Sequence, residues 1–76
     1  MKYKIIEKMA CTIVQLDCNL RKAAMTADYL MTSHYQVSEI RQHITMSFCT
    51  LVLDKCDTDK LKETLDFYIE NNPDIP

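Results

Sequence analysis

Four cysteines are the residues of this chain best suited to chemistry: Cys11, Cys18, Cys49 and Cys56, two pairs with a step of seven residues in each. Thiols serve as metal ligands, nucleophiles or disulfide partners, and spacing separates these uses. Structural zinc sites favour cysteines two to four residues apart, whereas seven residues of helix set ligands about 10 Å apart. Neither His34 nor His43 is spaced to complete a set, so no metal is expected. Nucleophilic catalysis needs a base within hydrogen-bond reach and donors for an oxyanion. Ser33, His34 and Tyr35 read as a polar connecting turn, and His43 sits beside Arg41 at a surface or interface. Asp57, Asp59, Glu63, Asp66 and Glu70 read as a solvated acidic face. The chain has no Gly, which excludes a phosphate-cradling loop and a dinucleotide fingerprint. The expectation is a protein without catalytic residues or cofactor.

The elements that must position these side chains read as all-α. Ile6, Ile13, Leu20 and Ala27 recur at seven, and Met9, Leu16, Ala23 and Leu30 follow each by three. This is the a/d spacing of a packed helical seam and predicts one helix from about residue 3 to 32. Thr32 to Gln36 breaks the pattern as a short connection. A second helix is expected over about 36–55, with Val37, Ile40, Ile44, Phe48 and Leu51 on one stripe. A rival reading is a strand, because Ile44, Met46, Phe48 and Val52 also fit period two. Asp57-Thr58-Asp59 supplies a cap and an acidic first turn for a third helix over about 58–71, carrying Leu61, Leu65, Tyr68 and Ile69 on one face. The domain is read as 1–72, with 73–76 a tail, and no internal repeat is visible. The resulting fold class is a long, coiled-coil-like antiparallel helical hairpin with a shorter C-terminal helix, assembling as a dimeric bundle. Because turns with positive φ normally recruit Gly, a many-hairpinned β-protein is not expected.

In such a hairpin, with paired positions summing to 67, Cys11 faces Cys56 and Cys18 faces Cys49. The arrangement resembles the twin-cysteine helical hairpins of the mitochondrial intermembrane space, over the hairpin only. Those families typically place three or nine residues between their cysteines, and here six intervene. The resemblance implies a disulfide-stapled assembly factor of an oxidising compartment. Against it, all four cysteines lie about 120–140° round from the apolar stripes at 100° per residue, so free thiols packed as small hydrophobes are the first reading.

Bulk properties bound the partners. Net charge is −2, which offers no electrostatic case for nucleic acid; a small DNA-binding regulator is the weakest alternative. Residues 1–22 carry a balance of +3 and residues 54–76 a balance of −4, two faces that attract each other within a fold or between chains. No stretch is apolar enough for a membrane span, and Glu7, Lys8 and Asp17 interrupt what would be a signal peptide's apolar region. A cytoplasmic setting is expected. A chain this short has a marginal core, yet it carries apolar residues beyond its main stripes. Val14, Met25, Tyr29, Met46, Leu53 and Phe67 are therefore the expected protein interface. The functional expectation is a non-enzymatic interaction module: an adaptor, regulator, inhibitor or assembly chaperone. Its partners would be another protein and, as a homodimer, a second copy.

Overall fold

Cys11–Leu16 buries every second residue: Thr12, Val14 and Leu16 are enclosed, and Cys11, Ile13 and Gln15 between them are half-exposed. Period two is the mark of a strand with one face on a core, and the β-branched run Thr12-Ile13-Val14 suits it. The computed structural model describes residues 1–43 and 48–72. In chain order its elements are β1 (Tyr3–Glu7), β2 (Cys11–Leu16), α1 (Leu20–Thr32), β3 (Val37–Gln42), β4 (Cys49–Asp54) and α2 (Thr58–Asn71). The strands form one antiparallel sheet in the order β1-β2-β4-β3.

The fold is thus mixed α/β, and the all-α hairpin, its coiled-coil seam and the dimeric helical bundle are overturned. The heptad was real as spacing and wrong as structure. Ile6 and Ile13 are cross-strand partners in the β1–β2 hairpin, and Met9, a seam position, is 97% exposed at that hairpin's tip. The lack of glycine does not prevent this hairpin, because the β1–β2 turn needs no positive φ. Lys8 donates its amide to the Cys11 carbonyl at 2.9 Å, and His34 (φ 72°) is the one described residue in the left-handed region. His34 ends α1. Its amide reaches the Met31 carbonyl and that of Tyr35 reaches Leu30, the paired bonds of a Schellman cap with histidine where glycine is usual. Within the second expected helix the rival strand reading holds for Cys49–Asp54, while Ile44 and Met46 lie outside the described residues. Of the connection expected over 32–36, Thr32 is the last residue of α1 and the rest joins α1 to β3, while the Asp57 cap and the last helix stand where the sequence placed them.

A repeat is present after all, in architecture. The chain runs β-β-α twice, and the strand order is unchanged when β1 trades with β3 and β2 with β4. Val14 pairs with Leu51 at the centre of the sheet. On either side, inward-facing Thr12 and Leu16 match Leu53 and Cys49. The helix caps Asn19 and Asp57 correspond, each side chain accepting first-turn amides. So do the inward positions Ala23, Thr26, Ala27 and Leu30 of α1 and Leu61, Thr64, Leu65 and Tyr68 of α2. Both helices cover one face of the sheet; α1 lies over β3 and β4, and α2 over β1. The core between the layers is Val14, Leu16, Leu30, Leu51, Leu53, Leu61 and Leu65 with smaller neighbours. Buried hydroxyls are satisfied: Thr26 donates to the Lys22 carbonyl at 2.8 Å, and Thr12 accepts from the Cys56 amide at 3.4 Å.

Candidate functional site

Three surfaces present chemistry to solvent: the uncovered face of the sheet, the outer side of the helix layer, and the two ends of the β2–β4 ladder where the cysteines gather.

The uncovered sheet face is ordered in rows by the register. Ile6, Ile13, Val52 and Glu39 form one row across all four strands, and Lys4, Gln15, Thr50 and Arg41 the next. The apolar members are half-buried by their neighbours, as expected for the wet side of an antiparallel sheet. Arg41 donates to Glu39 at 2.8 Å. That bond, between exposed groups, holds the Glu39 carboxyl below its ordinary range and raises the Arg41 guanidinium. His43 Nε2 lies 2.9 Å from the Thr50 hydroxyl, and its ring stacks on Phe48 with centroids 4.4 Å apart. Beside Phe48, Lys2, Lys4, Gln15 and Asp17 line an open cleft of about 320 Å³. Two lysines and one carboxylate around an open depression can hold a water-screened charge but present no activated nucleophile.

Where the helices meet, Tyr29 of α1 packs against Tyr68 of α2 with ring centroids 4.7 Å apart and planes tilted by 40°, which fixes the junction between the helices. Met25 stands one turn before Tyr29 and is 54% exposed; Phe67, next to Tyr68, is 59% exposed. Phe67 occupies in the second half the position that Tyr29 occupies in the first. Three of the expected interface residues are therefore gathered around this junction. Val14 and Leu53 are corrected: both are fully buried on the inward face of the inner strands, under the helices, and belong to the chain's own core. They read as surplus because the sequence had been wound into helices, where their positions fell opposite the main stripe. Met46 lies outside the described residues. Leu20, Met31 and Ile40, all substantially exposed, were missed as surface candidates. Leu20 had been assigned to the seam and Ile40 to a buried stripe.

Each expected cysteine pair falls at one end of the β2–β4 ladder, by a different route. The β2–β4 register pairs Cys11 with Asp54 and Leu16 with Cys49, so Cys56 lies two residues beyond Cys11's partner and Cys18 two beyond Cys49's. Both expected pairs thus lie near one another along the β-ladder. Faces then divide them. Cys18, Cys49 and Cys56 pack on the core side, whereas Cys11 stands in the outward phase of β2 with Ile13 and Gln15. Cys49 donates its thiol proton to the Cys18 carbonyl at 3.4 Å, and burial pushes that thiol's pKa up. All four are thiols. The intermembrane-space resemblance loses its basis with the helical hairpin. Among the described residues no group of three or more His, Cys, Asp or Glu is placed to hold a metal ion. No helix among them is long and apolar enough to cross a membrane.

No protein family, curated protein or solved structure matches this chain.

Proposed function

We propose that this protein is a non-enzymatic binding module that captures another protein through the apolar ground around the α1–α2 junction. The observation that carries the reading is the exposure of Met25, one turn before Tyr29, and of Phe67, next to Tyr68, on the two helices that the Tyr29–Tyr68 contact joins. Large apolar side chains left in water cost free energy that burial against a partner recovers, at about 25 cal/mol per Å². Clusters of them mark association surfaces more often than chance. The line along which two helices meet suits an amphipathic helix, whose i, i+3 and i+4 side chains would rest against Met25 and Phe67. Aromatic and methionine anchors adapt well to such contacts. An adaptor, an inhibitor and an assembly chaperone would all use this surface, and a cytoplasmic setting is part of the same proposal.

The test is retention of a partner from the native source on immobilised protein, wild type against a Met25→Ser/Phe67→Ser variant. Both positions are more than half exposed, so stability should stay within about 0.5 kcal/mol. A partner held by the wild type and released by the folded variant supports the reading. Equal retention by both would refute it. Tyr29→Ala should also weaken capture while leaving helix content largely intact, with some loss of stability from breaking the Tyr68 stack.

A further inference from the structure

The β3 edge is the most exposed strand of the sheet: Ser38 through Gln42 all face solvent. The hydrogen-bond phase says which backbone groups it offers. The His43 amide donates to the Phe48 carbonyl, so residues 43 and 48 are a hydrogen-bonded pair. Alternation along an antiparallel ladder then turns the backbone groups of Arg41 and Glu39 toward β4 as well. Those of Ile40 and Gln42 point away from the sheet, unmatched within it.

We propose that this edge pairs with the β3 of a second copy, antiparallel and centred on Ile40, joining two sheets into one of eight strands. Three observations converge on a copy of the same chain as the occupant. First, with Ile40 on the twofold axis, Ile40 of each copy exchanges both backbone hydrogen bonds with Ile40 of the other, as its outward amide and carbonyl allow. Second, the same register sets Glu39 opposite Arg41 of the second copy, and Arg41 opposite its Glu39. These fall at non-hydrogen-bonded positions, where opposed side chains are closest. A charge pattern reading acid, apolar, base is complementary to itself only in this antiparallel sense. Third, the helix side of the edge is apolar. Leu20, Ala24 and Met31 lie within about 40° of one another on α1 at 100° per residue. They are on the flank away from Tyr29 and α2, above β3. Leu20 is 43%, Met31 47% and Ile40 36% exposed, and pairing at β3 would bring the two sets together over the Ile40 pair. The other edge offers no such match: β1 centred on Ile5 would set Lys2 against Lys8.

This inference uses residues apart from Met25 and Phe67, so either reading can fail alone. Sedimentation equilibrium tests it. The wild type should be dimeric, and Glu39→Arg or Arg41→Glu should each raise the dimer dissociation constant about tenfold or more, since each sets like charges opposite one another twice. The Glu39→Arg/Arg41→Glu double variant restores opposite charges and should recover the wild-type constant. Far-UV circular dichroism confirms that each variant is folded. A wild type that stays monomeric to about 100 µM overturns the proposal, including the case in which the edge takes a strand of a different protein. So does a dimer indifferent to the single reversals, or a double variant as weak as the singles.

Discussion

The two edges of the sheet are the same place in a repeated architecture, and they are finished in opposite ways. At the β1 edge α2 closes the fold with polar contacts. The Tyr3 hydroxyl donates to the Asp66 carboxylate, and Lys62 binds the same carboxylate at 2.9 Å. Thr58 and Lys62 stand where α1 has Leu20 and Ala24. At the β3 edge the matching positions are Val37 for Tyr3 and Asp28 for Asp66, and no such clamp forms. Apolar Leu20, Met31 and Ile40 are left in water instead. One backbone plan thus yields one edge with a polar clamp to its helix and one whose apolar flank lies in water. A twofold fold plan leaves the two surfaces free to diverge as long as the inward positions keep a core.

Those inward positions differ too, and the difference gives the largest expected effect. α1 meets the sheet through Ala23 and Ala27, α2 through Leu61 and Leu65, all fully buried. Leu65→Ala should cost about 2–5 kcal/mol, much of the 5–15 kcal/mol a small domain has. At the equivalent site Ala27→Leu should cost about 1–3 kcal/mol by overpacking a helix seated close to β3 and β4. Urea denaturation of both variants checks this. A Leu65→Ala cost below about 1 kcal/mol would show that α2 does not share the core.

The cysteine pairs offer a second comparison, one at each end of the β2–β4 ladder. Treated with glutathione disulfide, Cys18 and Cys49 can each lose a proton and together surrender two electrons. Their new S–S bond forms as two glutathione thiols leave. A bridge spanning that length of chain stabilises by about 3–4 kcal/mol on the loop-entropy account. Cys11 and Cys56 approach across the sheet from opposite sides and should resist the same reaction. Peptide mapping by mass decides the matter: a dominant Cys11–Cys56 bridge would sink the face assignment.

How much of this could be read from residues alone differs by element. α2 was legible because its signals were local: the Asp57 cap, a 3.6-residue period through Leu61, Leu65 and Tyr68, and the stop at Asn71-Asn72. The connection after α1 was legible for the same reason. The N-terminal strands were not. Seven residues separate Ile6 from Ile13 both in a heptad and across a hairpin with a short turn, and spacing alone cannot choose between them. Lys8-Met9-Ala10 lacks the turn residues that would have decided it. The repeat was hidden because its halves share caps and inward positions more than surfaces. Of the expected interface, Met25, Tyr29 and Phe67 do lie on helices, although the helix expected from residue 3 begins only at Leu20. Val14 and Leu53 fell with the strands that carry them.

The smallest effect expected is a titration confined to one edge. Burial first, and then the hydrogen bond and charge of Asp66, push the Tyr3 hydroxyl up to about 12. Hydrogen bonds from Tyr3 and then Lys62 hold the Asp66 carboxyl below its ordinary value. A tyrosine pKa raised on folding means that the native chain keeps a proton the unfolded chain gives up. Its contribution is complete below the unfolded value near 10 and is lost as pH rises from about 10 to 12. For Asp66 the sign reverses: its contribution is present above the unfolded carboxylate range and fades as pH falls through the lowered folded value. Tyr3→Phe should therefore flatten the alkaline arm of the stability profile and weaken the acid arm, because Asp66 keeps only Lys62. Tyr35→Phe, whose hydroxyl lies 3.4 Å from that of Thr64 in place of a carboxylate, is the control. Chemical denaturation from about pH 2 to about pH 11.5 covers both arms, and an alkaline slope identical in Tyr3→Phe and wild type would remove the clamp from the β1 edge, and with it the contrast between the two edges.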